Sequence, residues 1–193
     1  MVEESAPLRL ILISGSLRSH SVNSAVIATI ADMIPAGTRA IIYQWMGELP
    51  HFNPDNDRDP LPEPVADLRE TLRRADAVLL STPEYAGSMP GSFKNLLDWT
   101  VGSGGLYGVP VGWINPSAQG GAQDTYHALR IVLGRAGAEI VETACADIPV
   151  PRDAVGATGL IEPVEIRSAF HQPLQALLAA AKMRQDARAE RSL

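Results

Sequence analysis

The run LRLILISGSLRSHSVN, Leu8 to Asn23, decides how the rest of the chain is read. Arg9 is the only charge between Leu8 and Ile13, as expected of a strand buried on both faces of a parallel sheet. The apolar run ends in small and polar residues. Ser14 to Asn23 supply hydroxyls, one guanidinium and one carboxamide over a single loop. A helix follows at once, over Val22 to Ile34, with Val26, Ile27, Ile30, Met33 and Ile34 at helical spacing until Pro35–Ala36–Gly37. A loop from a strand's carboxyl end into a helix's amino end leaves several N–H groups unpaired, with a partial positive charge. Such a turn is a site for a phosphate.

The same strand–loop–helix pattern recurs along the chain. Ala40 to Trp45 reads as a second strand, and the amphipathic stretch Glu63 to Ala75 as a helix. Ala77 to Ser81 is a third strand, entering the loop Thr82 to Met89. Pro90 suits the first turn of the next helix, whose Phe93, Leu96, Leu97 and Val101 fall at core spacing. Pro110 to Ile114 makes a fourth strand and opens into Asn115 to Gln123. A helix over Thr125 to Arg135 stops at Gly137, and Glu139 to Thr143 is a fifth strand. A last helix covers Glu162 to about Met183, with Pro173 expected to kink or split it and Arg184 to Leu193 expected to fray. Five strands alternating with helices predict a doubly wound α/β sandwich of three layers, in one domain over residues 1–193. The favoured strand order is 2-1-3-4-5, with ligands at the carboxyl edge beside strands one and three. The loops after strands one, three and four all open there. Glu48 to Pro62 is a long Pro- and Asp-rich loop without periodicity, of the kind that carries function or an interface.

Composition narrows the chemistry. A net charge of −6 argues against a nucleic-acid partner, which needs a basic face. The single cysteine, Cys145, excludes an internal disulfide and any multi-cysteine metal or cluster site, and its neighbours suit a small core residue. MVEESAPL has neither the basic start nor the long apolar segment of a secretory leader, and no apolar run approaches the roughly 18 residues of a membrane span. The cytoplasm is the expected compartment.

No G-x-G-x-x-G follows the first strand and no G-x-x-x-x-G-K-[ST] occurs, so neither a Rossmann dinucleotide site nor a P-loop is expected. What remains is a single phosphate held by side chains and loop amides. Ser16, Arg18, Ser21 and Asn23 form S-x-R-x-x-S-x-N, which converges several donors on one turn, with Arg18 offering a planar fork. Taken singly, Ser21 or Asn23 is a helix cap and Arg18 a solvated cation; the four together favour phosphate. In TPEYAGSMPG, Pro83 and Gly87 suit a backbone that aims amides and carbonyls at a flat polar ring edge. Tyr85 can pack beside such a ring, or be an ordinary half-buried tyrosine.

GSLRSHSVN, STPEYAGSMPGSFKNLLDW and NPSAQGG, in that order, resemble the NAD(P)H-dependent FMN reductases of flavodoxin-like fold, a family with quinone, azo-dye and chromate reductases. The resemblance covers about residues 8 to 150. It implies that Ser16, Arg18, Ser21 and Asn23 grip the FMN phosphate. It also implies that Pro83, Glu84, Tyr85, Ala86, Gly87 and Ser88 line the isoalloxazine ring, and that Ser117, Gly120 and Gly121 carry a third flavin-side segment. Ala86 stands where the family has Asn, which removes one side-chain amide beside the ring. Lys94 to Trp99 matches a family helix implied to lie near a subunit interface; Lys94 and Asp98 also suit an ordinary helix-surface pair.

The implied activity is hydride transfer from NADPH or NADH through FMN to a small acceptor by a ping-pong cycle. The acceptor is a quinone, azo compound, metal oxyanion or free flavin, and the protein a homodimer or homotetramer. No side-chain nucleophile, metal or membrane is required. A flavodoxin-like electron carrier and a non-catalytic flavin-binding dimer are the competing readings.

Overall fold

The computed structural model describes residues 6–118 and 120–190. The leader reading and the end of the frayed tail fall partly on residues 1–5 and 191–193, outside the described residues. Five parallel strands, β1 (Leu8–Ser14), β2 (Thr38–Tyr43), β3 (Ala77–Ser81), β4 (Pro110–Asn115) and β5 (Glu139–Asp147), form one sheet of order β2-β1-β3-β4-β5. The helices are α1 (Val22–Asp32), α2 (Glu63–Arg73), α3 (Gly91–Val101), α4 (Gln123–Arg135), α5 (Val164–Ala169) and α6 (His171–Glu190). This is the predicted flavodoxin-like order.

Period-two alternation divides the strands between two cores. Ile11, Ile13, Val78 and Leu80 face a cluster completed by Val65 and Leu68 of α2, Phe93 and Trp99 of α3 and Leu129 of α4. Leu10, Leu12, Ala77 and Leu79 face the other side, against Val26, Ile27 and Ile30 of α1 and Leu174 and Leu177 of α6. The central strands are therefore apolar throughout because both faces are covered. Truncating a residue such as Leu12 to Ala costs about 2–5 kcal/mol, the range for buried leucines.

Several boundaries differ from the sequence reading. β2 ends at Tyr43, and Trp45–Glu48 turns into a 3₁₀ helix with Trp45 exposed. β5 runs on to Asp147 because its register against β4 shifts between Val111 and Trp113, which interrupts the alternation that marks a strand. The last helix splits at Phe170, three residues before Pro173. A proline ring clashes with the carbonyl four residues back, here that of Ala169, so the break precedes the proline. Pro173 then lies in the first turn of α6, where a missing N–H leaves nothing unpaired. α6 continues as helix to Glu190 rather than fraying at Arg184. Arg184 Nη1 donates to the Ala75 carbonyl at 2.7 Å and Gln185 Nε2 to that of Ala6 at 2.9 Å.

The long loop is fastened to α3. Asn95 accepts the Phe52 N–H at 2.8 Å and donates to Pro50 O at 2.9 Å. Trp99 Nε1 donates to the same carbonyl at 2.8 Å, and Phe52 meets the Trp99 ring edge-on at 5.0 Å. Two residues of the K-N-x-x-D-W motif thus serve the monomer's own loop, while Lys94 and Asp98 pair along the helix surface at 2.5 Å.

Candidate functional site

Local backbone geometry marks the site. His20, Ala86 and Ala122 are the non-glycine residues with positive φ among the described residues, at 54°, 53° and 62°. One lies in each of the three loops that leave β1, β3 and β4 at the carboxyl edge. Left-handed backbone costs an L-residue roughly 1–2 kcal/mol. Its confinement to these three loops matches the clustering of strain at binding sites.

The first loop presents donors. Ser21 caps α1 in extended conformation, is 5% exposed and makes no side-chain cap bond. Arg18 is exposed, with one long hydrogen bond from Nη2 to His20 O at 3.4 Å. Ser16 Oγ accepts the Arg18 N–H at 3.3 Å. Asn23 is turned inward: its Oδ1 accepts from Ser81 Oγ at 2.9 Å, tying α1 to the end of β3. α1 has no acidic residue in its first turn. Beside the loop a groove of about 600 Å³ is bounded by His20, Ser21, Ser24, Arg152 and Thr158.

The second loop is a two-residue hairpin. Tyr85 N–H donates to Ser88 O at 2.8 Å and Ser88 N–H returns to Tyr85 O at 3.2 Å. Ala86 and Gly87, with φ of 53° and 75°, occupy its centre in the geometry of a type I′ turn, which favours Asn-Gly. Tyr85 is 55% exposed. The first two loops are pressed together, since a Cβ on Gly15 would lie 2.2 Å from Thr82 Oγ1.

Tyr126, Asn115 and Asp147 hold these loops in place; Asn115 opens the NPSAQGG stretch, while the sequence motifs did not single out Tyr126 or Asp147. Tyr126 Oη accepts the Thr82 N–H at 3.1 Å and lies 3.0 Å from the carbonyls of Thr82 and Ile114, so its one proton serves one at a time. Burial raises the Tyr126 phenol well above its ordinary pKa and keeps it a donor. Asn115, 2% exposed, shapes the third loop. Its Nδ2 donates to Gly121 O and to Asp147 Oδ1, both at 2.9 Å, and its Oδ1 accepts the Ser117 N–H at 3.1 Å. Gly120 has a φ of 74° in the same loop. Glu84 leaves its own loop, its Oε2 accepting the Thr125 N–H of α4 at 3.1 Å.

A model of the NADPH-dependent FMN reductase family matches residues 8–147, the span that contains all three loops and all five strands. The chain belongs to this family. A quinone reductase of Escherichia coli strain K12 is 33% identical over 135 residues, 67% of this chain and 71% of that protein. An NAD(P)H-dependent FMN reductase of Pseudomonas aeruginosa is 33% identical over 174 residues, 88% of this chain and 93% of that one. Among solved structures, the flavoenzyme NAD(P)H:(acceptor) oxidoreductase FerB of Paracoccus denitrificans superposes with a TM-score of 0.80 at 26% identity, covering 92% of this chain and 98% of its own. A WrbA-like flavodoxin of Agrobacterium tumefaciens shares the fold at a TM-score of 0.59 and 14% identity, covering 91% of this chain and 98% of its own.

The protein is therefore an oxidoreductase with FMN as cofactor and NAD(P)H as donor. The residues present fit that cofactor. The Arg18 guanidinium, held by one long hydrogen bond, and the Ser21 hydroxyl, which makes no cap bond, stand at a helix amino end with no acidic residue in its first turn, which suits a phosphate dianion. Among the described residues no group of His, Cys, Asp and Glu could hold a metal, and no helix is long and apolar enough to cross a membrane.

Proposed function

We propose that this reductase passes two electrons from NAD(P)H through FMN to a small organic acceptor, a quinone foremost, in two successive half-reactions at one exposed ring face. The observation that carries this reading is the convergence of three strained loops on one sheet edge, with an exposed guanidinium held by one long hydrogen bond in the first and a two-residue hairpin in the second. Bound FMN would supply the redox chemistry, a two-electron relay between the nicotinamide donor and the acceptor.

The chain's own residues bind and orient. Arg18 pairs with the phosphate through its guanidinium fork while Ser16 and Ser21 add hydroxyls. Asn23, held against Ser81, sets the angle at which α1 meets the phosphate. The hairpin Tyr85–Ser88 offers backbone groups to the ring edge, so the missing side-chain amide at Ala86 leaves those contacts in place. Tyr126 and Asn115 fix the two ring-side loops to α4 and β4. Ser117, Gly120 and Gly121 close the third side. A cytoplasmic homodimer or homotetramer accompanies this reading, and a monomer on size-exclusion chromatography would refute that part.

The test is an anaerobic visible spectrum of FMN-reconstituted protein before and after NADPH, then NADH, then a quinone. Bleaching by a nucleotide and recovery on quinone addition support the reading. Bound flavin that neither nucleotide bleaches would replace it with an electron carrier.

A further inference from the structure

Glu84 lies in the ring-side loop, yet its carboxylate serves another element. α4 begins after Ala122, a left-handed residue whose methyl group cannot cap a helix. The cap comes from Glu84, 41 residues earlier, whose Oε2 accepts the Thr125 N–H at 3.1 Å. Asp124 places a second carboxylate in the same turn. α1 and α3, which also begin at this edge, have no acidic residue in their first turns. A helix amino end carries roughly half a positive charge. That charge is left bare at α1, where a phosphate would bind, and is offset at α4.

The neighbouring contact explains why the placement matters. Tyr126, one residue beyond Thr125, clamps both backbone groups of Thr82 and reaches Ile114 O. The first turn of α4 is thus bonded to the stem of the ring-side loop, with the end of β4 as the alternative acceptor for the same proton. Glu84 sits at that junction.

We propose that Glu84 is a positioning residue that also acts electrostatically. Its carboxylate cancels the positive end of α4 beside the flavin, so that reduced FMN gains no stabilisation from that helix and surrenders its electrons readily. This rests on the reading above that the ring lies along Pro83 to Ser88. A purely structural cap would need only the oxygen acceptor. The electrostatic effect needs the charge, so Glu84→Gln and Glu84→Ala separate the two.

The experiment compares wild type, E84Q and E84A in two measurements: exchange of the Thr125 amide in protein without FMN, and the midpoint potential of the FMN-loaded protein against a reference dye. E84Q keeps an acceptor oxygen, so its Thr125 exchange should stay near the wild-type rate, while E84A should exchange roughly tenfold faster. Both variants should favour reduced over oxidised FMN by roughly three- to tenfold more than wild type, a positive shift of about 15–30 mV for a two-electron couple. A wild-type potential in E84Q would overturn the electrostatic effect, as would a negative shift. Unchanged Thr125 exchange in E84A would overturn the cap. Wild-type protein that binds no FMN would overturn the flavin reading itself, an outcome the amide measurement does not depend on.

Discussion

Replacing Ala86 by Asn should stabilise the protein and replacing Gly87 by Ala should destabilise it, both through local conformation rather than packing. Both residues are exposed, and a Cβ added at Gly87 would meet nothing within 4 Å, so packing barely enters. Their φ values of 53° and 75° lie in the left-handed region, and the paired hydrogen bonds between Tyr85 and Ser88 hold them there. An L-residue pays roughly 1–2 kcal/mol for that conformation, and Asn less than Ala because its side chain bonds locally. A86N should therefore gain about 0.5–1 kcal/mol. G87A should lose about 0.5–1.5 kcal/mol, since part of the strain is offset by a less flexible unfolded chain. For a chain of 193 residues, each kcal/mol moves the melting temperature by about 2–4 °C. Urea unfolding with an unchanged m-value is the cleaner assay. An A86N protein no more stable than wild type, together with a neutral G87A, would show that the hairpin is not left-handed at its centre.

Three further outcomes test the site and its supports. Arg18→Ala should weaken FMN binding by about 1.5–3 kcal/mol, the scale of a hydrogen bond to a charged group, and unchanged affinity on titration would remove Arg18 from the phosphate site. Tyr126→Phe leaves the buried Thr82 N–H without its acceptor and should cost about 1–3 kcal/mol in urea unfolding; a loss below about 0.5 kcal/mol would refute the clamp. Burial pushes the half-buried Cys145 thiol up to about 12, and its Sγ donates to Val141 O at 3.4 Å. The fold favours the neutral thiol, so this contribution is fully present below the unfolded pKa of about 8.5 and is lost as pH rises towards 12. At pH 8 native Cys145 should alkylate far more slowly than in urea-unfolded protein, and equal rates would contradict the assignment.

The fold was legible because its signals are local. The apolar runs of β1, β3 and β4 and the polar loops after them announce a parallel sheet and its carboxyl edge, and the S-x-R-x-x-S-x-N motif is contiguous from Ser16 to Asn23. What escaped the sequence depends on partners far along the chain. The register shift between β4 and β5 hid the length of β5, and Arg184 and Gln185 hold α6 where charge alone suggested fraying. Asn95 and Trp99 were legible as part of a motif, but their bonds to Pro50 and Phe52 span more than forty residues. Tyr126 looked like one more residue on a helix face, because nothing near it in sequence announces the Thr82 backbone as its partner.

The bond from Glu84 to Thr125 also bears on how this protein can be re-engineered. Loops on α/β sheets are usually exchanged one at a time, each treated as a replaceable cassette between its own strand and helix. Here the β3–α3 loop carries the cap of a helix that starts only after α3 and β4, so a transplant of residues 82–89 alone would remove the Glu84 cap from α4. A graft that moves the loop together with residues 122–126 keeps donor, acceptor and clamp in one piece.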